Sequence, residues 1–137
     1  WTRLDASDDP FDDRPEDDSC LPGGAGFEDG VFEIQTDACA YLSTAQPLML
    51  DLTAGDEIDI LVWHLALVAP EPATAHIAMR IGDIEVLDLR PSIPSPEQVF
   101  RLTWRVPEDI AAGTQVVLHA HNHGSNSYRI GPVRRAN

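Results

Sequence analysis

From residue 31 onward the chain never holds a helical period for three turns. Its apolar residues instead alternate over short runs punctuated by Gly and Pro. Few folds accept that pattern. Residues 99–106 show it most plainly, with Phe100, Leu102, Trp104 and Val106 on one side and Arg101, Thr103 and Arg105 on the other. Comparable runs predict strands over 31–36, 41–43, 48–52, 57–67, 76–81, 84–89, 114–121 and 128–133. In 57–67, Ile58, Ile60, Val62 and His64 oppose Leu61, Trp63 and Leu65, which predicts a strand buried on both faces. Residues 21–30, rich in Gly, read as a loop, and Gly82-Asp83 reads as a hairpin turn. Eight or nine short strands between regular turn signals predict an all-β fold, an antiparallel β-sandwich of jelly-roll type. An immunoglobulin-like sandwich lacks its Cys…Trp…Cys pattern here, because Cys20 precedes the strands.

The 137 residues suffice for one domain with its own core. The net charge is −14, with nine Arg and no Lys. Such a surface repels phosphate, which argues against nucleic acid as a partner and favours metal cations or a basic surface. No apolar run approaches the ~20 residues of a membrane helix, so membrane insertion is not expected. A chain starting at Trp1 fits a processed product or a fragment.

The charge is uneven. Residues 1–19 hold eight acids against Arg3 and Arg14, and read as an acidic N-terminal tether or assembly arm before a sandwich domain at 20–137. Composition predicts a solvated tether. Three things would order it: calcium held by Asp8, Asp9, Asp12, Asp13, Asp17 and Asp18, a neighbouring subunit, or packing of Trp1, Leu4 and Phe11 on the domain. No Asp-x-Asp-x-Asp-Gly loop is present, which removes a calcium hand. As an assembly arm the segment would add to a neighbour's sheet edge, giving self-association and a cell-surface or filament subunit. Cys20 and Cys39 flank the first predicted strand and are expected to form a disulfide that clips the arm to the domain. A disulfide implies an extracellular, cell-surface or periplasmic location.

The chemistry concentrates in residues 116–128, where a β-type run becomes His119-Ala120-His121-Asn122-His123 and then a turn at Gly124, Ser125, Asn126 and Ser127. On a strand, His119 and His121 share one face about 7 Å apart. Zinc and copper sites use such a pair with a third ligand from a neighbouring strand, for which His64 and His76 are the candidates and His123 a further one. Neutral imidazoles ligate best above pH ~6.5. No Gly-x-Ser-x-Gly, phosphate loop or His-Glu-x-x-His occurs, so the chain is expected to bind rather than catalyse. For a glycan, the stacking candidates are Tyr128 and Tyr41, since Trp63 and Trp104 alternate in phase with core positions.

Ala54-Gly55-Asp56 before a strand carrying Trp63, the run 100–106 ending in Pro107-Glu108, and Gly113-Thr114 before a strand give residues 31–133 a pattern that resembles galactose-binding-like jelly rolls. Carbohydrate-binding modules of bacterial glycosidases are the nearest of these. That resemblance implies a sugar-binding module, although Ile130-Gly131-Pro132-Val133 stands where those modules carry an Asp-Asp-Val segment. Trp63-His64, Ala69-Pro70-Glu71-Pro72, Ala75-His76 and the histidine run also resemble small exported, lipoprotein-like bacterial proteins, which implies a location and no activity.

Overall fold

A computed structural model describes residues 1–123, 125 and 127–136. The turn expected of Gly124 and Asn126 therefore lies outside the described residues. Among the described residues there are thirteen strands and no helix. The first seven are β1 (Thr2–Arg3), β2 (Ala25–Glu28), β3 (Val31–Gln35), β4 (Tyr41–Pro47), β5 (Glu57–His64), β6 (Ala73–Thr74) and β7 (His76–Ile81). Then follow β8 (Ile84–Leu89), β9 (Ser92–Ile93), β10 (Gln98–Arg105), β11 (Gln115–His121), β12 (Ser127–Ile130) and β13 (Arg134–Arg135). Nine have four residues or more, and eight of these fall where strands were expected, β2 being the exception; the two-residue strands are trimmings on that framework.

One large sheet has the order β1-β4-β11-β7-β8 and a second β10-β5-β12-β3-β2, with β13 also paired to β5, and β6 and β9 form a separate two-stranded sheet. All pairings are antiparallel, and the two large sheets enclose a core that includes Ile34, Leu42, Ile60, Val62, Ile77, Leu118 and Tyr128. The fold is an antiparallel jelly-roll β-sandwich.

Three local expectations are corrected. Residues 48–52 leave the ladder after Pro47, with Leu48 still bonded to Gly113 and Thr114 and Leu52 bridged to Ile110, and Met49 stands 80% exposed. The strand expected at 41–43 runs instead to Pro47, because β11 offers it a partner at seven consecutive positions. The glycine-rich stretch contains β2, joined to β3 by Asp29-Gly30, both at positive φ (50° and 80°). An Asp-Gly pair between strands is a hairpin signal that glycine content masked.

The two-sided strand was also misplaced. β5 alternates, with Ile58, Ile60, Val62 and His64 buried but Glu57 and Asp59 exposed. β4, β7 and β11 are the strands buried on both faces. The cause is the acidic segment, which does not stand off in solvent but lies across the outer face of their sheet. Thr2 and Arg3 pair with Ala45 and Thr44. Leu4 packs with Ala45, Val117 and Phe11 in a small apolar cluster, and Trp1 packs on Phe32. Packing of Trp1, Leu4 and Phe11, one of the three ways expected to order this segment, is observed. Those side chains are thus spent on their own sandwich.

Cys20 and Cys39 are disulfide-bonded and pair as an antiparallel bridge, with Leu21 N donating to Ala38 O and Ala40 N to Ser19 O. The bond fixes the arm where it joins the sandwich. Closing a 19-residue separation constrains the unfolded chain by about 3 kcal/mol. A Cys20→Ser, Cys39→Ser double variant should therefore lose about 3 kcal/mol in urea unfolding. An unchanged midpoint would mean the bridge constrains nothing.

Candidate metal centre

The antiparallel register builds the site. His121 lies opposite Tyr41 on β4 and His76 on β7, and His119 lies opposite Ser43 and Ala78. Period-two alternation puts Leu118 and Ala120 in the core and all of these polar residues on the outer face. That face would be wet without the arm. Phe11 closes it, stacking on His119 with ring centroids 4.1 Å apart and meeting His76 edge-on at 5.7 Å. His119 is fully buried.

Asp13 enters the middle of the face. Its Oδ2 lies 2.8 Å from His76 Nδ1, 3.3 Å from His119 Nε2 and 3.2 Å from His121 Nδ1. Its Oδ1 is buried 3.1 Å from His119 Nε2 without a hydrogen bond of its own. Ligand atoms of Asp13, His76 and His119 all lie within 4.8 Å of one another, the one such group among the described residues.

Two further arm residues fasten the carboxylate's surroundings. Asp9 accepts from Tyr41 Oη at 2.6 Å and from Arg14 at 2.8 Å, and Arg14 also bonds Asp18 and sits 4.8 Å over the Tyr41 ring. Tyr41 is driven up by burial and by the Asp9 hydrogen bond, so it remains a donor at all ordinary pH.

Electrostatics settle the protonation pattern. Burial works against the Asp13 carboxylate, but hydrogen bonding from His76 and the proximity of His119 carry its pKa down to about 2. Burial pushes His119 down to about 4, outweighing the opposing pull of Asp13. His121 is lowered by burial and by His123. Near neutrality an anionic carboxylate thus faces neutral His119 and His121. A carboxylate only accepts, so each ring nitrogen bonded to it carries the proton.

A metal ion would displace those protons to the far ring nitrogens, and partners for them are in place. His119 Nδ1 lies 2.9 Å from Ser43 Oγ, and His76 Nε2 lies 3.4 Å from Asp88 Oδ2. Ligating histidines characteristically have such outer partners. Arg90 competes at His76 Nε2, 3.2 Å away. The oxygen–nitrogen separations also fit: bonds of ~2.0–2.2 Å in a tetrahedral site put ligand atoms about 3.4 Å apart.

The structure brings together His76, His119 and His121, with His123 alongside, its ring 4.3 Å from that of His121. It does not bring in His64, which lies on β5 in the other sheet with Nδ1 against Leu65 O. Strand period fixes a face but not which sheet a neighbour joins, hence the error. Tyr41 and Tyr128 are 0% exposed and offer no surface for stacking a sugar. The arm carboxylates do not gather: Asp9 and Asp18 are tied to Arg14, Asp17 accepts from Ser19 N, and only Asp13 reaches a metal-type group among the described residues.

No protein-family profile and no curated protein matches the chain. Solved structures similar in shape include two carbohydrate-binding modules. One, titled "CBM4 structure and function", is 14% identical, covers 82% of this chain and 74% of its own, and has a TM-score of 0.44. The other, "Family 16 Carbohydrate Binding Module-2", is 8% identical, covers 90% of this chain and 89% of its own, and has a TM-score of 0.46. Both titles name carbohydrate-binding modules. At these scores neither transfers a ligand or a site.

Proposed function

We propose that this chain is an exported, non-catalytic binding module that holds zinc or copper between its acidic arm and its sandwich. The ligands are Asp13, His76 Nδ1 and His119 Nε2, and His121 Nδ1 borders the ion. One observation carries this reading: a carboxylate and two buried imidazoles from three separate chain segments converge within 4.8 Å. A mixed imidazole and carboxylate set suits Zn2+ or Cu2+. Asp13 keeps about a quarter of its side-chain exposure (26%), which leaves the ion a way in. The Cys20–Cys39 bond supports an oxidising compartment.

The test is calorimetric titration of the metal-free chain with Zn2+ and with Cu2+ at pH 7.5. One ion per chain is expected, weakened at least a hundredfold by His119→Ala and by His76→Ala, and unaffected by His64→Ala. Bound ion should also raise the melting temperature of the parent protein. Absence of binding by either metal would leave Asp13 as a purely hydrogen-bonded clasp and remove the proposal.

A further inference from the structure

The arginines, sparse in a chain of charge −14, are unequally employed. Arg3, Arg14, Arg90, Arg129 and Arg135 form ion pairs, and Arg80 donates to Asp83 O. The side chains of Arg101, Arg105 and Arg134 have no such partner among the described residues, and all three belong to the sheet opposite the metal centre.

Register explains their gathering. On β5, Asp59 lies opposite Thr103 of β10 on one side and Arg134 of β13 on the other, while Leu61 lies opposite Arg101. Directly paired residues share a face, so Arg101 and Arg134 stand on the outer face either side of β5, two strand spacings and a two-residue offset apart, or ~12 Å. Between them runs a surface groove of about 440 Å³, the size of a small-ligand site, lined by Asp59, Leu61, Arg101, Thr103, Pro132 and Arg134. Gly131 lies against Leu61, and a Cβ there would meet the Leu61 side chain at 3.3 Å, so the floor is close-packed.

Charged side chains also guard sheet edges against pairing, and β10 is an edge strand. Among the described residues β13 likewise pairs only with β5, so that role extends to Arg134, but it does not explain why Arg101 and Arg134 line one groove. We infer that this groove binds a short acidic saccharide, an oligomer of uronic-acid units. Free guanidinium groups take the carboxylates in charge-assisted hydrogen bonds. Asp59 selects among anions. Its Oδ1 accepts from Thr103 Oγ1 at 2.8 Å, and its carboxylate repels any polyanion that brings no donor to it. A uronic acid supplies hydroxyl donors to Asp59 and carboxylates to the arginines, and its C–H faces suit the Leu61 and Pro132 floor. The site is separate from the metal centre and independent of it.

Calorimetry of the full chain with tetragalacturonate, its uncharged counterpart galactotetraose, and a short poly-glutamate distinguishes the outcomes. Tetragalacturonate should bind, with about tenfold loss for Arg101→Gln and for Arg134→Gln and no measurable binding when both are changed. Arg80→Gln, on the opposite sheet, should leave binding unchanged. Amide shift changes on addition of tetragalacturonate should centre on residues 59–61, 101–103 and 132–135. Failure of tetragalacturonate to bind, equal binding of galactotetraose or of poly-glutamate, full binding by the double variant, or shifts confined elsewhere would each overturn the inference.

Discussion

Acidifying the metal-free protein from pH 6.5 to 4 is expected to lower its unfolding free energy by about 3 kcal/mol through His119 alone. His119 is fully buried between Phe11, Tyr41 and His76, and burial holds its pKa at about 4 in the folded chain. In the unfolded chain the same imidazole titrates near its ordinary 6.5. Between those values the unfolded state binds the extra proton, so stability rises with pH there. The contribution is complete above pH ~6.5 and is lost as pH falls toward 4. His121 is lowered as well and acts in the same direction. Asp13 follows at lower pH, since its carboxylate falls from 3.8 unfolded to about 2 folded and its contribution disappears over that window. Urea unfolding at pH 7, 6, 5 and 4 in the presence of a chelator reads the effect. His119→Gln should flatten the upper part of the profile. A parent midpoint constant between pH 6.5 and 4 would show that the imidazole is not held neutral by burial.

This acid sensitivity has its origin in a feature only half visible in the sequence. His-x-His on an alternating strand put His119 and His121 on one face, and β11 keeps them there. His76 was one of two candidates for a third ligand, and only the pairing of β7 with β11 separates it from His64. Asp13 was visible merely as one acid among eight. Nothing within a few residues of it signals contact with His119, 106 positions away. The arm's own code is similarly sparse: Leu4 and Phe11 are isolated apolar residues in a segment whose charge argues for solvation. Their burial depends on a sheet whose outer face is itself polar and aromatic, built from Tyr41, Ser43, His76 and His119, and thus able to receive Asp9 and Asp13 as hydrogen-bond partners and Arg14 over the Tyr41 ring. Local alternation therefore conveyed the strands. Which face the arm would cover, and which carboxylate would descend into it, depend on long-range pairing that periodicity does not encode.

Replacing Asp13 by Ala should release the arm while leaving the sandwich folded. The carboxylate is the shared acceptor of ring nitrogens from His76, His119 and His121. Its removal leaves those buried donors without an acceptor, a cost of about 1–3 kcal/mol for each that stays dry. Lifting Phe11 and letting water in avoids that cost, so local opening is the favoured response. The main core lies on the other side of β4, β7 and β11, and the disulfide still anchors the chain at Cys20. Leu4 N–H, bonded to Ser43 O at 2.8 Å, is the reporter. Its exchange with solvent deuterium should quicken at least tenfold in Asp13→Ala, while amides of Leu118 and Val62 exchange as before. Asp13→Asn retains one acceptor and should fall between the two. In the parent protein, zinc should slow Leu4 exchange, because an ion held by Asp13, His76 and His119 fastens the arm to both strands. Unaltered Leu4 exchange in Asp13→Ala would mean that Leu4 and Phe11 hold the arm by apolar contact alone, and the carboxylate would then be free to serve the ion without being part of the latch.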